Sequence, residues 1–188
     1  MKTLHIIAGA NGSGKTTFAR HFSALNDLYF INADEIAKEL DSTDVSRHKV
    51  KAGRIFFEEL HTWLEGEDSF VIETTLSGKY LLKYIRKAKG KGFRVSLVYL
   101  FLETPDANVL RVANRVLNGG HDVPTDDIIR RYYRSKNLFW YRYKDQVDDW
   151  IIYYNSNEAF EEIADQTTIY DDEKYQEFLK EIDHEQYH

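Results

Sequence analysis

The chain has 188 residues, 25 of them basic and 31 acidic, so its formal net charge is −6 at pH 7. This charge disfavours a protein held to nucleic acid by a cationic field over its whole surface, although a local basic groove remains compatible with it. The absence of cysteine excludes disulfides, thiolate metal ligands and a cysteine nucleophile. The N-terminal apolar stretch runs straight into a glycine loop, and no apolar run approaches the ~18 residues of a membrane span. We therefore expect a cytoplasmic protein with no signal peptide and no membrane partner.

Five short runs rich in β-branched and aromatic residues have the length and flanks of buried strands. They cover residues 4–8, 28–32, 70–74, 94–102 and 150–154. Helical patterns separate them and cover residues 14–25, 47–64, 77–90, 104–117 and 125 to about 147. Ser77, Thr104 and Thr125 are the predicted N-caps of the last three helices. This alternation predicts a three-layer α/β/α fold with a central five-stranded parallel sheet, whose ligands gather at the carboxyl ends of the strands.

The domain organisation is simple, because neither a repeat nor a linker-like change of composition divides the chain. We predict one domain over residues 1–188, with a helical lid at about 111–135. An acidic C-terminal extension at about 158–188 is expected to contain a small hairpin over 160–170 and a last helix over 172–182.

The sequence GANGSGKTT directly follows the first predicted strand and matches the G-x-x-x-x-G-K-[ST] pattern of a P-loop. Its glycines let backbone N–H groups turn toward a polyphosphate, and the next helix points its positive end at the same place. Lys15 is expected to reach the β and γ phosphates, the Thr16 hydroxyl to ligate Mg²⁺, and Thr17 to contact the α phosphate. The predicted ATP-binding residues of the loop are Gly9, Ala10, Asn11, Gly12, Ser13, Gly14, Lys15, Thr16 and Thr17. No N-K-x-D guanine-reading tetrad follows, which favours ATP over GTP.

Two predicted strands end in acids on the rim that carries the P-loop. Asp34 follows the second strand, where its carboxylate is expected to accept or orient a hydroxyl proton in phosphoryl transfer. Its neighbour Glu35 fits the first turn of a helix. Glu73 ends the third strand, where it is expected to hold the metal or position the acceptor, and Thr75 to hydrogen-bond a phosphate or sugar hydroxyl. The sequence leaves the metal and acceptor roles of Glu73 open.

The predicted lid contains four arginines that are candidates for contacts with phosphate. Arg111 and Arg115 lie four residues apart on one helix face, and Arg130 and Arg131 follow the sequence GGHDVP, which has the character of a hinge. Phosphoryl transfer gathers negative charge on equatorial oxygens, which guanidinium groups on a closing segment neutralise. We expect Arg115 and Arg130 to act in catalysis and Arg111 and Arg131 to contact ATP. The alternative is a solvated, charged helix face.

Four segments together resemble the zeta-toxin family of P-loop kinases: GANGSGKTT, INADEIA, VIETTLSG and RVANRVLNGGHDVPTDDIIRRY. The resemblance covers residues 2 to about 155. It implies a kinase-like P-loop fold, ATP with Mg²⁺, and phosphorylation of a sugar hydroxyl on UDP-N-acetylglucosamine. For a toxin, it also implies an antitoxin that covers the nucleotide site.

The family's functional residues map onto this chain position by position. Lys15 and Thr16 match the ATP and magnesium residues, Asp34 the catalytic base, and Glu73 and Thr75 the residues near the acceptor. Arg115 and one of Arg130 or Arg131 match the arginines on the transferred phosphate. The chain is shorter than well-known members, carries Asn11 where they have proline or glycine, and carries Thr74 in place of a glycine. It looks closer to a compact zeta-like subgroup described as ATPases.

Three functions follow from these residues. The first is a small-molecule kinase acting on a nucleotide sugar. The second is a kinase acting on a nucleotide or a nucleic-acid end, for which the negative net charge argues against an extended nucleic-acid partner. The third is an ATPase or ATP-dependent interaction module without a small-molecule acceptor.

Overall fold

The structure is a computed structural model that describes residues 1–41, 45–155 and 159–182. In these ranges the strands are β1 Thr3–Ala8, β2 Tyr29–Ile31, β3 Phe70–Thr74, β4 Arg94–Phe101, β5 Asp149–Asn155 and β6 Phe160–Asp165. The α-helices are α1 Lys15–Asn26, α2 Ala33–Leu40, α3 Lys49–Leu64, α4 Leu82–Gly90, α5 Pro105–Leu117, α6 Thr125–Leu138 and α7 Asp172–Lys180. A 3₁₀ turn, Val45–His48, precedes α3, and a π-helical turn, Phe139–Tyr143, continues α6. The predicted alternation of strands and helices is confirmed.

The sheet has six strands in the order β2-β3-β1-β4-β5-β6. Strands β1 to β5 are parallel, as predicted, but β6 pairs antiparallel with β5, so the prediction of a five-stranded, wholly parallel sheet was wrong. The predicted hairpin over 160–170 keeps only a single bridge, between Ala164 and Ile169. The physical reason is the length of the connection, because four residues between β5 and β6 cannot form a crossover to a parallel strand.

The core divides between the two faces of the sheet because side chains alternate along each strand. On β1, Ile6 packs with the larger cluster, which also contains residues of α2, α3, α4 and α7, whereas Ile7 packs with Ala19 of α1 on the opposite face. A third, smaller cluster of Val112, Val123 and Ile128 joins α5 to α6. The sheet is therefore covered on both sides, and α5 and α6 carry a small core of their own.

Three predicted helix boundaries can be compared with the structure. Thr104 is the N-cap of α5, and its hydroxyl accepts a hydrogen bond from the Ala107 N–H at 3.2 Å, as predicted. Ser77 is not a cap, because α4 begins only at Leu82 and the Ser77 hydroxyl instead lies 2.9 Å from that of Thr75. Thr125 is the first residue of α6 rather than its cap, and the helix ends before the predicted residue 147.

The C-terminal extension contributes α7, whose N-cap Asp171 accepts a hydrogen bond from the Lys174 N–H. Phe178 is fully buried and packs on Tyr99, Phe101 and Phe139. Residues 158 and 183–188 of the predicted extension lie outside the described residues. In the ranges that the structure covers, no helix is both long and apolar enough to cross a bilayer.

Candidate active site

The loop between β1 and α1 has the backbone of a phosphate cradle. Gly9, Gly12 and Gly14 have φ angles of 144°, 83° and 92°, a region that side chains with a Cβ rarely adopt. Gly14 is also the N-cap of α1, so the first N–H groups of that helix are directed toward the loop. The Lys15 ammonium donates a hydrogen bond to the Ala10 carbonyl at 2.8 Å, which holds it across the loop.

Two asparagines, one in α5 and one in β5, hold this loop through side-chain hydrogen bonds, and the sequence analysis identified neither of them. The Asn108 side-chain amide donates to the Asn11 carbonyl at 2.6 Å, and the Asn155 amide donates to the Ser13 carbonyl at 2.8 Å. These two bonds satisfy backbone carbonyls of the loop, so its conformation is fixed by side chains from α5 and β5 as well as by its own glycines. The clamp is tight, since a Cβ on Gly14 would meet the Asn155 amide nitrogen at 2.2 Å.

Glu73 lies at the bottom of the cradle beside the two polar residues that begin α1. Its Oε1 accepts a hydrogen bond from the Thr16 hydroxyl at 3.1 Å and lies 3.8 Å from the Lys15 ammonium. Burial lowers the pKa of Lys15 and raises the pKa of Glu73, while the charge of each partner opposes the shift of the other. The arrangement brings a cation, a carboxylate and a hydroxyl together at one point.

Asn32 links Glu73 to Asp34, and sequence reasoning did not single it out. Its side-chain amide donates to Glu73 Oε2 at 2.5 Å, and its carbonyl oxygen accepts from the backbone N–H groups of Asp34 and Glu35 as the N-cap of α2. Asp34 is thereby fixed at the first turn of α2 with its side chain exposed to the cleft. Glu35 is a first-turn acid, as predicted, and pairs with Arg20 at 2.5 Å.

Two adjoining clefts open at this edge of the sheet. The first, which we call the nucleotide cleft, measures about 170 Å³ and is lined by Asn11, Gly12, Gly14, Lys15, Thr16 and Thr17 of the P-loop and by Asp34, Glu73, Thr75, Arg111 and Arg115. The second, which we call the acceptor cleft after the role proposed for it below, measures about 300 Å³ and is lined by Asn32, Asp34, Phe56, Phe57, Glu73, Thr75, Ser77, His121 and Arg131, among others. Asn11, Asp34, Glu73 and Thr75 line both clefts. The predicted acids and Thr75 therefore lie where the two clefts meet.

The four arginines of the predicted lid occupy different places. Arg111 lines the nucleotide cleft and donates to the Asn155 carbonyl at 2.9 Å. Arg115 also lines it and donates to the His121 carbonyl at 2.7 Å. Arg131 lines the acceptor cleft and donates to Asn11 Oδ1 at 3.1 Å. Arg130 lines neither of these clefts and pairs with Asp127 at 2.6 Å, so of the two candidates it is Arg131 that faces the P-loop.

The residues fit Mg²⁺ and ATP. Mg²⁺ in phosphoryl-transfer sites takes one or two carboxylates, a hydroxyl and phosphate oxygens, and Glu73 and Thr16 supply a carboxylate and a hydroxyl that are already in contact. The described residues contain no cluster of three or more acids and histidines that would hold a metal without phosphates. The hydroxyl oxygen of Ser13 is buried in the loop without a hydrogen-bond partner, which is consistent with a site that a ligand completes.

Comparison with known proteins identifies a family for this chain. The AAA_33 family, described as an AAA domain, matches residues 4–134. The chain belongs to this family. The AAA_33 match runs from β1 into α6 and so includes the P-loop, Asp34, Glu73 and the four arginines. An uncharacterized protein of Haemophilus influenzae is 32% identical to the chain over 124 residues, which are 66% of this chain and 88% of the relative.

Solved structures share the fold at low identity. The AvrRxo1-ORF1:AvrRxo1-ORF2 complex with ATP has a TM-score of 0.74 and 16% identity over 95% of this chain, which spans 63% of that one. The PezAT chromosomal toxin–antitoxin system of Streptococcus pneumoniae has a TM-score of 0.61 and 19% identity over 96% of this chain and 86% of that one. A gluconokinase of Sinorhizobium meliloti has a TM-score of 0.52 and 12% identity over 81% and 82%. At these identities the likeness shows a P-loop kinase-like fold alone.

Proposed function

We propose that the protein is an ATP-dependent kinase that transfers the γ phosphate of ATP to a hydroxyl of a small molecule. The observation that carries this proposal is the meeting of the P-loop cleft with a second cleft at Asp34, Glu73 and Thr75. A simple ATPase needs only room for water, whereas the second cleft is the larger of the two and has its own aromatic and polar walls. The kinase-like fold of the structural neighbours is consistent with phosphotransfer.

The residues divide the work of in-line transfer. The P-loop N–H groups and Lys15 bind the phosphates, while Asp34 orients the acceptor hydroxyl and accepts its proton. Thr16 and Glu73 would hold Mg²⁺, which when bound neutralises charge on the phosphate oxygens. Arg115 and Arg131 stabilise the charge that develops on the transferred group. Arg130 reaches this group only if the segment at about 111–135 closes as a lid, which we propose as part of a single-domain enzyme.

The finer proposal concerns the acceptor. The resemblance to zeta toxins favours UDP-N-acetylglucosamine or a related nucleotide sugar. The acceptor cleft is compatible with a sugar, because it combines hydroxyl, amide and carboxylate groups with the faces of Phe56 and Phe57. We also propose that the chain is a member of the compact zeta-like subgroup and that it acts in the cytoplasm.

A protein partner is part of the same proposal. The structural neighbours include a two-protein complex and a toxin–antitoxin system. For this chain we propose an antitoxin that covers the nucleotide cleft, since that cleft is open to solvent and closing it would exclude ATP. The test of this partner is to add the product of an adjacent gene to the purified chain and to measure phosphate transfer. We expect that product to bind the chain and to inhibit the transfer.

The experiment that tests the kinase is transfer of γ-labelled phosphate from Mg-ATP to UDP-sugars, nucleosides and 5′-hydroxyl RNA oligonucleotides. Lys15→Ala is the blank, and Asp34→Asn is the diagnostic variant. We expect a labelled nucleotide sugar with the native chain and loss of transfer by Asp34→Asn with ATP affinity unchanged. Label that appears only as free phosphate with every acceptor would overturn the kinase in favour of an ATPase, and equal transfer by Asp34→Asn would remove its role.

A further inference from the structure

The turn between α5 and α6, which covers residues 118–124, closes the end of α5 by backbone hydrogen bonds. Gly119 has a φ of 80°, the left-handed conformation that commonly terminates a helix. Its N–H donates to the Val116 carbonyl at 2.9 Å. The N–H of Gly120 donates to the Arg115 carbonyl at 2.8 Å. Because both bonds engage carbonyls of the last helical turn, they fix the direction in which the chain leaves α5.

The other end of this turn is held by α6 and by the small core that α5 and α6 share. Val123 is 5% exposed and packs with Val112 and Ile128. The Ile128 N–H also donates to the carbonyl of Pro124 at 3.1 Å, at the start of α6. The turn is therefore fixed at both ends, by hydrogen bonds to α5 and by apolar and backbone contacts with α6.

Gly120 lies directly against the side chain of Arg115. A Cβ on Gly120 would stand 2.4 Å from Arg115 Cγ, 2.8 Å from the Arg115 carbonyl oxygen and 3.2 Å from Arg115 Cδ. Carbon atoms pack at about 3.5–4.0 Å, so a side chain at position 120 would displace the Arg115 side chain. The φ of Gly120 is not positive, so the close approach, rather than the backbone conformation, requires glycine here.

The turn also binds the far end of the Arg115 side chain. Its Nη2 donates to the His121 carbonyl at 2.7 Å, and a guanidinium group bound in this way retains further N–H groups for a ligand. Arg115 lines the nucleotide cleft, and its charge adds to burial in lowering the pKa of Lys15. His121 lines the acceptor cleft. The turn thus ties an arginine of the nucleotide cleft to a residue of the acceptor cleft.

We propose that Gly120 is a positioning residue for phosphoryl transfer, which lets the turn hold the Arg115 guanidinium at the nucleotide cleft on the His121 carbonyl. This inference rests on the proposed function, in which Arg115 stabilises charge on the transferred group. A long arginine side chain loses rotamer freedom when it is fixed, and a group that is fixed before the reaction needs no reorganisation during it. The close packing at Gly120 restrains Arg115, whereas a hinge at the same glycine would act through backbone freedom.

A double-mutant cycle on kcat tests this role. The rate of γ-phosphate transfer from Mg-ATP to UDP-N-acetylglucosamine is measured for the native chain, Gly120→Ala, Arg115→Ala and the double variant. We expect Arg115→Ala to lower kcat about a hundredfold, as loss of a group that binds transition-state charge does. Gly120→Ala is expected to lower kcat about tenfold or more while the KM for ATP changes less than about threefold. In the Arg115→Ala background, Gly120→Ala is expected to change kcat less than about twofold, because the group that it misplaces is already absent.

Two results of this cycle overturn the proposal and leave the kinase intact. One is an equal kcat for the native chain and Gly120→Ala. The other is a loss of kcat that is the same in both backgrounds, because Gly120 would then act through the backbone and not through Arg115. Thermal denaturation separates a structural effect from positioning. A loss of stability is expected in both backgrounds, since the Arg115 carbonyl oxygen still lies 2.8 Å from the new Cβ.

The matched control is Gly66→Ala, which adds the same methyl group at a glycine that follows the end of α3. A Cβ there would come no closer than 3.4 Å, to the Trp63 carbonyl oxygen. We expect Gly66→Ala to retain the native kcat. A loss equal to that of Gly120→Ala would show that any methyl group after a helix slows transfer, which overturns the proposal.

A measurement on the native chain decides the matter if Gly120→Ala does not fold. The order parameter of the Arg115 Nε–H group is measured by NMR, with its signal assigned by its loss in Arg115→Ala, and compared with that of the exposed Arg54. We expect a value above about 0.6 for Arg115 and below it for Arg54. A value for Arg115 as low as that of Arg54 overturns the proposal. If the native chain phosphorylates no acceptor, the kinase is refuted, and the same cycle on ATP hydrolysis together with the order parameter tests the positioning of Arg115.

Discussion

Asn32 offers a test of how the site is built, because one buried side chain serves two structural purposes. It caps α2 by accepting from two backbone N–H groups, and it donates to the buried carboxylate of Glu73 at 2.5 Å. Asn32→Ala removes both. The matched control is Thr104→Ala, which removes the cap of α5 at an exposed position and no other hydrogen bond that involves a charge.

The magnitudes differ enough to be separated. Loss of an N-cap costs about 1 kcal/mol of stability, the expected value for Thr104→Ala. Asn32→Ala adds loss of a hydrogen bond to a charged group, worth about 1.5–3 kcal/mol, so we expect a total of about 2.5–4 kcal/mol. Because one side chain makes both the N-cap of α2 and the hydrogen bond to Glu73, the two contributions are not independent. Their sum is an upper value if the end of the helix relaxes in the variant.

Asn32→Asp separates the two terms further, because aspartate keeps the cap but replaces the donor with a second carboxylate. Burial already raises the pKa of Glu73, and a neighbouring carboxylate raises it more. A raised pKa means that, above the pKa of the unfolded state, the Glu73 carboxyl binds more protons in the folded chain than in the unfolded chain. The free energy of unfolding therefore falls as the pH rises. We expect Asn32→Asp to lose more stability relative to the native chain at pH 7 than at pH 5.

The assay is urea unfolding followed by far-UV circular dichroism at pH 5 and pH 7, with slopes compared to exclude changes in the denatured state. If Asn32→Ala costs no more than Thr104→Ala, the amide–carboxylate bond contributes nothing and the reasoning fails. A loss for Asn32→Asp that does not change with pH would show that Glu73 and position 32 do not interact.

The remaining predictions concern the loop, the core and the lid. Gly14→Ala is expected to abolish binding of ATP measured by calorimetry, because the new Cβ would lie 2.2 Å from the Asn155 amide nitrogen at a φ of 92°; retained affinity would contradict the clamp. Burial lowers the pKa of Lys136 to about 7, so between pH 7 and about 9.5 the native chain binds fewer protons than the unfolded chain and its stability rises. The difference between native chain and Lys136→Met should change over that window by up to about 3 kcal/mol in urea unfolding, and a pH-independent difference would refute it. Arg131→Ala is expected to slow transfer by about a hundredfold and Arg130→Ala far less, since only Arg131 faces the P-loop; the opposite order in kcat would show that the lid closes by a rearrangement that brings in Arg130.

The P-loop motif and most of the helices and strands could be predicted from local sequence. The P-loop can be predicted from nine consecutive residues because its turn, its lysine and the following helix are contiguous, and the same holds for the Thr104 cap. Such features depend on backbone preferences within a few residues, which composition and spacing report directly.

Tertiary structure decided the features that depend on residues far apart in the chain. The clamp on the P-loop joins residues separated by 97 and 142 positions, and the bond from Asn32 to Glu73 spans 41. Asparagine in a sequence reads as a turn or a cap, and only the folded chain shows which backbone carbonyl or carboxylate it meets. The same limit applies to β6, which pairs with the free edge of β5. It also applies to the choice between Arg130 and Arg131, because neighbouring residues of a helix point in different directions and only the folded chain shows which one meets the P-loop.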